Sequence, residues 1–219
     1  MLPAAQSPRP GVDVPAGNFR FDGGAATFVG TGVLGFLITV CTLGICYPFA
    51  LVLMERWRAK HTYIDGRQTR FTGAAVGLFG RWCLWLLLMI VTLGIYSFWL
   101  IPRLTRWRVE HQALQPDEAA GRFKFDGGAA TFVGTALLGA LITVLTFGIC
   151  YPFAVVLGQR WECKHTTING RRLRFAGSAV GLFGRWCLWL LLMIVTLGIY
   201  SFWVIPRLTR WKVQQRTYA

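Results

Sequence analysis

The sequence predicts an all-α membrane protein: four transmembrane helices in two tandem, near-identical two-helix repeats, with short β-hairpins between the paired helices. Three observations predict it. The chain is 54% hydrophobic yet carries 23 Lys and Arg against 9 Asp and Glu, a combination suited to apolar helices with cationic loops at lipid headgroups. Four long runs lack charge: Gly23–Met54, Trp82–Pro102, Gly127–Gln159 and Trp186–Pro206. And the chain repeats itself: residues 19–112 align with residues 123–216 at a constant shift of 104, with 72 identities in 94 positions. Such self-similarity marks duplicated structural units.

Each copy divides again at a shift of 50. Phe21, Phe71, Phe125 and Phe175 open the four units, each followed two residues later by Gly. The string Val91-Thr92-Leu93-Gly94-Ile95-Tyr96-Ser97-Phe98-Trp99 recurs unchanged from Val195 to Trp203, and more loosely at Thr42–Phe49 and Thr146–Phe153. Its glycines, Gly44, Gly94, Gly148 and Gly198, are candidate helix joints. Each string leads into an Arg-Trp pair: Arg56-Trp57, Arg106-Trp107, Arg160-Trp161 and Arg210-Trp211. Arginine reaches phosphate bidentately and tryptophan suits headgroup depth, so these eight residues are the candidate lipid-headgroup contacts.

In order along the chain, residues 1–17 are rich in Pro and Ala and read as a disordered tail without a signal peptide. The first repeat spans 18–112, a polar linker 113–122, and the second repeat 123–216. The 21-residue second and fourth runs are long enough to cross about 30 Å of hydrocarbon. Trp82, Trp85 and Trp99 stand at their ends as an aromatic belt would. Pro48 and Pro152 interrupt the first and third runs and predict kinks. Between paired helices, Asp65-Gly66 and Asn169-Gly170 are favoured type I′ turn pairs flanked by β-formers.

Loop charge does not orient four crossings: 11 Lys and Arg fall on one side and 12 on the other. Four spanning helices remain the expectation. Units that dip into one leaflet and return are the alternative, with Thr-Leu-Gly-Ile as the turning point.

The ordered Phe-x-Gly, Thr-Leu-Gly-Ile-Tyr, Arg-Trp-x-x-x-His-Thr and Gly-Arg-Arg-Leu-x-Phe strings are carried by Phe71 and Gly73, Thr92–Tyr96, Arg56–Thr62 and Gly170–Phe175. Over residues 19–211 the pattern resembles the YjgN-like family of bacterial inner-membrane proteins, a domain of unknown function. The resemblance implies a multi-pass protein of the bacterial inner (plasma) membrane and implies no reaction. Phe98-Trp99 and Phe202-Trp203 depart from it, as does Gln215 where a fourth His would stand.

Enzymatic chemistry finds no support. Gly30–Gly35 matches G-x-G-x-x-G but lacks a βαβ setting, and Gly32 becomes Ala136 in the copy. Small residues there, such as Thr31 and Gly35, read as helix-packing positions. His61, His111 and His165 read as interfacial residues and not as a metal ring. The six cysteines form no CxxC pair and read as small apolar side chains. No catalytic, metal or cofactor residue is assigned and no cofactor is expected. The apolar runs hold no ionisable residue for a coupled pump. The expected role is structural or anionic-lipid-interacting, with the lipid bilayer and a further copy of the chain as partners and no nucleic acid. The alternative is a passive channel or small-solute transporter built from repeats, with Thr27, Thr31, Thr39 and their copies as the lining.

Overall fold

The computed structural model describes residues 18–115 and 123–219. The tail assigned to 1–17 lies outside the described residues, as does the linker from 116 to 122. Residues 113 and 114 of that linker belong to a strand.

Each of the four sequence units folds as strand, helix, helix, strand. The first repeat comprises β1 (Phe19–Phe21), α1 (Ala25–Cys41), α2 (Tyr47–Lys60), β2 (Thr62–Ile64), β3 (Arg67–Phe71), α3 (Ala75–Val91), α4 (Ser97–Glu110) and β4 (Gln112–Leu114). The second repeats it as β5 (Phe123–Phe125), α5 (Ala129–Leu145), α6 (Tyr151–Lys164), β6 (Thr166–Ile168), β7 (Arg171–Phe175), α7 (Ala179–Val195), α8 (Ser201–Gln214) and β8 (Arg216–Tyr218). Each repeat therefore forms a four-stranded antiparallel sheet, in order β1-β2-β3-β4 and β5-β6-β7-β8.

This corrects the expected four transmembrane helices. Each uncharged run is not one helix but reaches from a helix of 17 residues into a second of 14. Among the described residues no helix is long and apolar enough to cross a membrane. The expectation of a transmembrane, multi-pass inner-membrane protein is not upheld, and neither is an all-α class. The break lies in the Thr-Leu-Gly-Ile strings. In the first, Gly44 N–H donates to the Thr39 carbonyl at 2.7 Å and Leu43 N–H to the Val40 carbonyl at 3.1 Å, the paired bonds of a Schellman helix stop. Leu43 (φ 50°) and Gly44 (φ 82°) are both left-handed, which reverses the chain. The hydroxyl of Thr42 donates back to the Ile38 carbonyl and accepts from Cys46 N–H, stapling the turn. Leu93, Phe147 and Leu197 repeat this geometry. Hydropathy sums over such a turn because no residue in it is charged; a backbone reversal leaves no trace in composition. Pro48 and Pro152 are not kinks either. Each stands in the first turn of a new helix, where its missing N–H is harmless.

The Asp65-Gly66 turn has positive φ at both residues, as does Asn169-Gly170, and it joins β2 to β3. The strands do not stop at a hairpin. β1 pairs with β2, and β4 with β3, through the registers Arg20↔Tyr63 and Arg70↔Ala113. The α1–α2 hairpin bridges the end of β1 to the start of β2, and α3–α4 bridges β3 to β4. In an antiparallel sheet these junctions lie at one end, opposite the Asp65-Gly66 turn. Both hairpins of a repeat thus leave the same end of its sheet.

The repeats close into a ring. α2 packs on α3, α4 on α5, α6 on α7, and α8 back on α1. At the base, Arg106 donates to the Gly127 carbonyl at 3.3 Å and Arg210 Nε to the Phe21 carbonyl at 3.1 Å. Further up, the Phe28 and Phe202 rings lie 6.4 Å apart. All four hairpins accordingly point the same way. A core shared by both repeats, including Phe19, Phe21, Trp57, Phe123, Trp161 and Ile168, fills the sheet end.

Candidate functional site

The Arg-Trp pairs split in two. Trp57, Trp107 and Trp161 are buried and Trp211 is half-buried. Each meets the ring of its unit's opening Phe at 5.4–5.6 Å. The glycine of Phe-x-Gly is what lets them close. A Cβ on Gly23 would stand 2.5 Å from Phe21 Cζ and 3.0 Å from Trp57, and one on Gly127 equally close to Phe125 and Trp161. Phe-x-Gly and Trp are therefore one packing clasp. The neighbouring arginines, Arg56, Arg106, Arg160 and Arg210, are exposed.

The histidines end their own helices. Nδ1 of His61, His111 and His165 donates to the carbonyl of Trp57, Trp107 and Trp161 at 2.7–2.8 Å. Among the described residues no His, Cys, Asp and Glu group is arranged to hold a metal. Thr39 and Thr143 donate into their own helices, to the Gly35 and Gly139 carbonyls. Trp82 and Trp85 are buried. Trp82 Nε1 donates to the Gly44 carbonyl at 2.9 Å and Trp186 Nε1 to that of Gly148, so these tryptophans lash one hairpin to its neighbour's tip.

The tips themselves are apolar and bare. Leu43, Leu93, Phe147 and Leu197 are 87, 93, 92 and 93% exposed. The joint glycines behind them, Gly44, Gly94, Gly148 and Gly198, have φ of 82–88°. Outward residues of the long helices, such as Phe36, Ile90, Val144 and Val195, continue the apolar surface. A left-handed L-residue is disfavoured by about 1–2 kcal/mol. Four bulky apolar residues nonetheless take that conformation with almost no burial in return.

The second feature lies on the ring's axis, where sequence reading placed nothing. Shifts of 50 and 104 bring Glu55, Thr105, Gln159 and Thr209 to equivalent positions, and likewise Arg58, Arg108, Glu162 and Lys212. With Arg216, all of these but Thr105 surround a cavity of about 270 Å³. Glu55 is 2% exposed and pairs with Arg58 at 2.8 Å and Arg108 at 2.6 Å. Arg216 binds Glu162 at 3.0 Å and Gln159 at 3.1 Å. Burial works to raise the Glu162 carboxyl, but Arg216, Arg108 and Lys212 outweigh it and hold it below the usual range. Burial and then Arg58 push Lys212 down to about 8. The signal for this chamber was local divergence. Residues 51–60 keep only five identities with 155–164 in otherwise near-identical copies, and the changes include Glu55 to Gln159 and Arg58 to Glu162.

Residues 68–169 match the model of a family of unknown function (DUF6693). That stretch runs from β3 across the linker to the β6–β7 turn, so it covers the second and third units and not one repeat. No curated protein and no solved structure matches the chain.

Proposed function

We propose that this is a non-enzymatic, lipid-binding structural protein whose four hairpin tips enter one leaflet of a bilayer without crossing it. The observation that carries this reading is the set of four exposed, left-handed Leu and Phe residues at the tips. Strain held without intramolecular gain points to a contact outside the chain. Lengths agree. Arg56, Arg106, Arg160 and Arg210 each stand nine residues after the first residue of their helix, about 14 Å along it. Half of a hydrocarbon core is about 15 Å. With the tips in acyl chains, these exposed arginines sit at phosphate depth, where a cation gains from anionic lipid.

One-sided entry also accounts for the even loop charge, since every basic loop then stays on one side of the bilayer. Nucleic acid is not part of the reading, because the exposed arginines are spread around the ring next to apolar surface. Kinship with the YjgN-like family, resting on the repeated strings, belongs to the same proposal and adds no reaction.

The test is vesicle flotation combined with lipids brominated in their acyl chains. Binding that favours anionic over zwitterionic vesicles, with quenching of the half-exposed Trp99 and Trp203, is expected. A cysteine placed at Leu43, labelled by an impermeant reagent held inside the vesicle, would overturn one-leaflet entry. So would a protein that does not float.

A further inference from the structure

We propose that the axial chamber is a binding site for an oxyanion, a phosphate or carboxylate group, held by Arg58, Arg108, Lys212 and Arg216. The argument begins with charge. Four cations line the chamber against two carboxylates, Glu55 and Glu162, leaving an excess of two positive charges in a confined space. Charges out of water are stable only when paired. Glu55 is committed to Arg58 and Arg108, and Glu162 to Arg216. Lys212 has no hydrogen-bond or salt-bridge partner among the described residues.

Hydrogen bonding gives an independent observation. Nε of Arg58, Arg108 and Arg216 are all buried without an acceptor. Buried donors are rarely left so, and here three come from three elements around one cavity. A tetrahedral or planar oxyanion is acceptor-only and matches the charge excess of these guanidinium groups and of Lys212. Apolar and cationic ligands would leave the charge and the donors unmatched, and a neutral hydrogen-bonding ligand would leave the charge. The volume of about 270 Å³ leaves room for such a group together with water.

The chamber also continues outward. Glu55, Arg58 and Arg108 line a second, apolar cleft of about 540 Å³ between α1, α2 and α8, walled by Phe28, Gly35, Phe36, Phe202 and Ile205. The same headgroup chemistry therefore has two sources: a free anion, or the head of a single-chain anionic amphiphile whose tail follows the cleft. This inference does not depend on the tips entering a bilayer, and flotation is unchanged by its failure.

Calorimetric titration of the full chain with inorganic phosphate, lysophosphatidic acid below its aggregation threshold, and lysophosphatidylcholine tests it. The Lys212→Met variant is the control of choice. It strands no carboxylate, so it should fold at least as well as the parent by thermal melting. Phosphate is expected to bind the parent and to raise its Tm, with affinity at least tenfold weaker in Lys212→Met and in Arg216→Gln. Affinity is also expected to fall above about pH 8, as Lys212 loses its proton. Lys212 faces Arg58, Arg108, Glu162 and Arg216 from the surrounding elements. Lysophosphatidic acid binding more than tenfold tighter than phosphate, and losing that advantage in Gly35→Leu, identifies a headgroup. Equal affinities identify a free anion. No binding of either phosphate compound, or binding unchanged in both Lys212→Met and Arg216→Gln, overturns the site. Lysophosphatidylcholine binding as tightly as lysophosphatidic acid overturns it too.

Discussion

Replacing Leu197 by glycine should make the fold more stable and the lipid contact weaker. The side chain is 93% exposed, so its removal forfeits almost no packing. Its φ of 50° is left-handed, where a non-glycine residue is disfavoured by about 1–2 kcal/mol. Glycine relieves that strain but adds unfolded-state entropy of about 0.5–1 kcal/mol. The net is a gain of about 0.5–1 kcal/mol, or about 1–4 °C in Tm for a chain of this size. Against lipid the sign reverses. A leucine moved from water into acyl chains contributes about 1.5–3 kcal/mol, so the vesicle partition constant should fall about tenfold to a hundredfold. The assay is paired: thermal melting by circular dichroism, and flotation over a lipid titration. Changing Leu43, Leu93, Phe147 and Leu197 together should raise Tm further and abolish flotation. A variant with lower Tm would mean that the tip residue packs within the fold. One that floats like the parent would mean that the tips do not meet lipid. Either result refutes the reasoning, because it rests on the tips serving only a contact outside the chain.

Three further outcomes follow from the packing and the chamber. Gly127→Ala should destabilise by about 1–3 kcal/mol in denaturant unfolding, since its Cβ would lie 2.5 Å from Phe125 and 2.9 Å from Trp161; the glycine next to it, Gly128, with open space around its Cβ position, should tolerate the same change far better. Glu55→Ala should cost about 1–3 kcal/mol, because it leaves Arg58 and Arg108, both partly exposed, without their carboxylate. The contribution of Lys212 to stability without added anion should rise with pH from about 8 toward 10.5, because burial and Arg58 depress Lys212 in the folded chain relative to the unfolded one; it is complete above the unfolded value, lost as pH falls through the folded one, and read as the difference between parent and Lys212→Met unfolding curves, since Cys163, pushed up to about 11 by burial, works in the opposite direction in both chains.

Much of the architecture is legible in the residues. The fourfold recurrence of Phe-x-Gly, Thr-Leu-Gly-Ile and Arg-Trp marks the units that fold as strand–helix–helix–strand. Asn-Gly and Asp-Gly mark turns because few other pairs take positive φ twice. The strands beside those turns are visible, but their partners β1, β4, β5 and β8 are three residues each, too short for any periodicity. The chamber was hidden for another reason. Glu55 reads as the boundary of an apolar run when taken alone, and becomes a buried ion-pair hub only when three other helices bring Arg108, Gln159, Glu162 and Lys212 beside it. Arg-Trp was read as one unit because the two are adjacent; on a helix, neighbours face different directions, and so Trp57 is core while Arg56 is exposed.

By itself the sequence determined the repeat, its four units, the turn positions and the four uncharged runs. These are properties of residue identity and spacing, and need no partner. Tertiary structure alone decided that each apolar run folds back on itself, that all four hairpins leave the sheets on one side, and that six charges meet on the axis. The physical reason is the same in each case. A reversal at Leu43-Gly44 is a matter of two dihedral angles, and hydropathy is blind to it. The direction of a hairpin follows from pairing between residues 45 or more apart, as between Phe19 and Ile64 or Asn18 and Asp65. And the chamber's charge is a sum over side chains that only ring closure brings together.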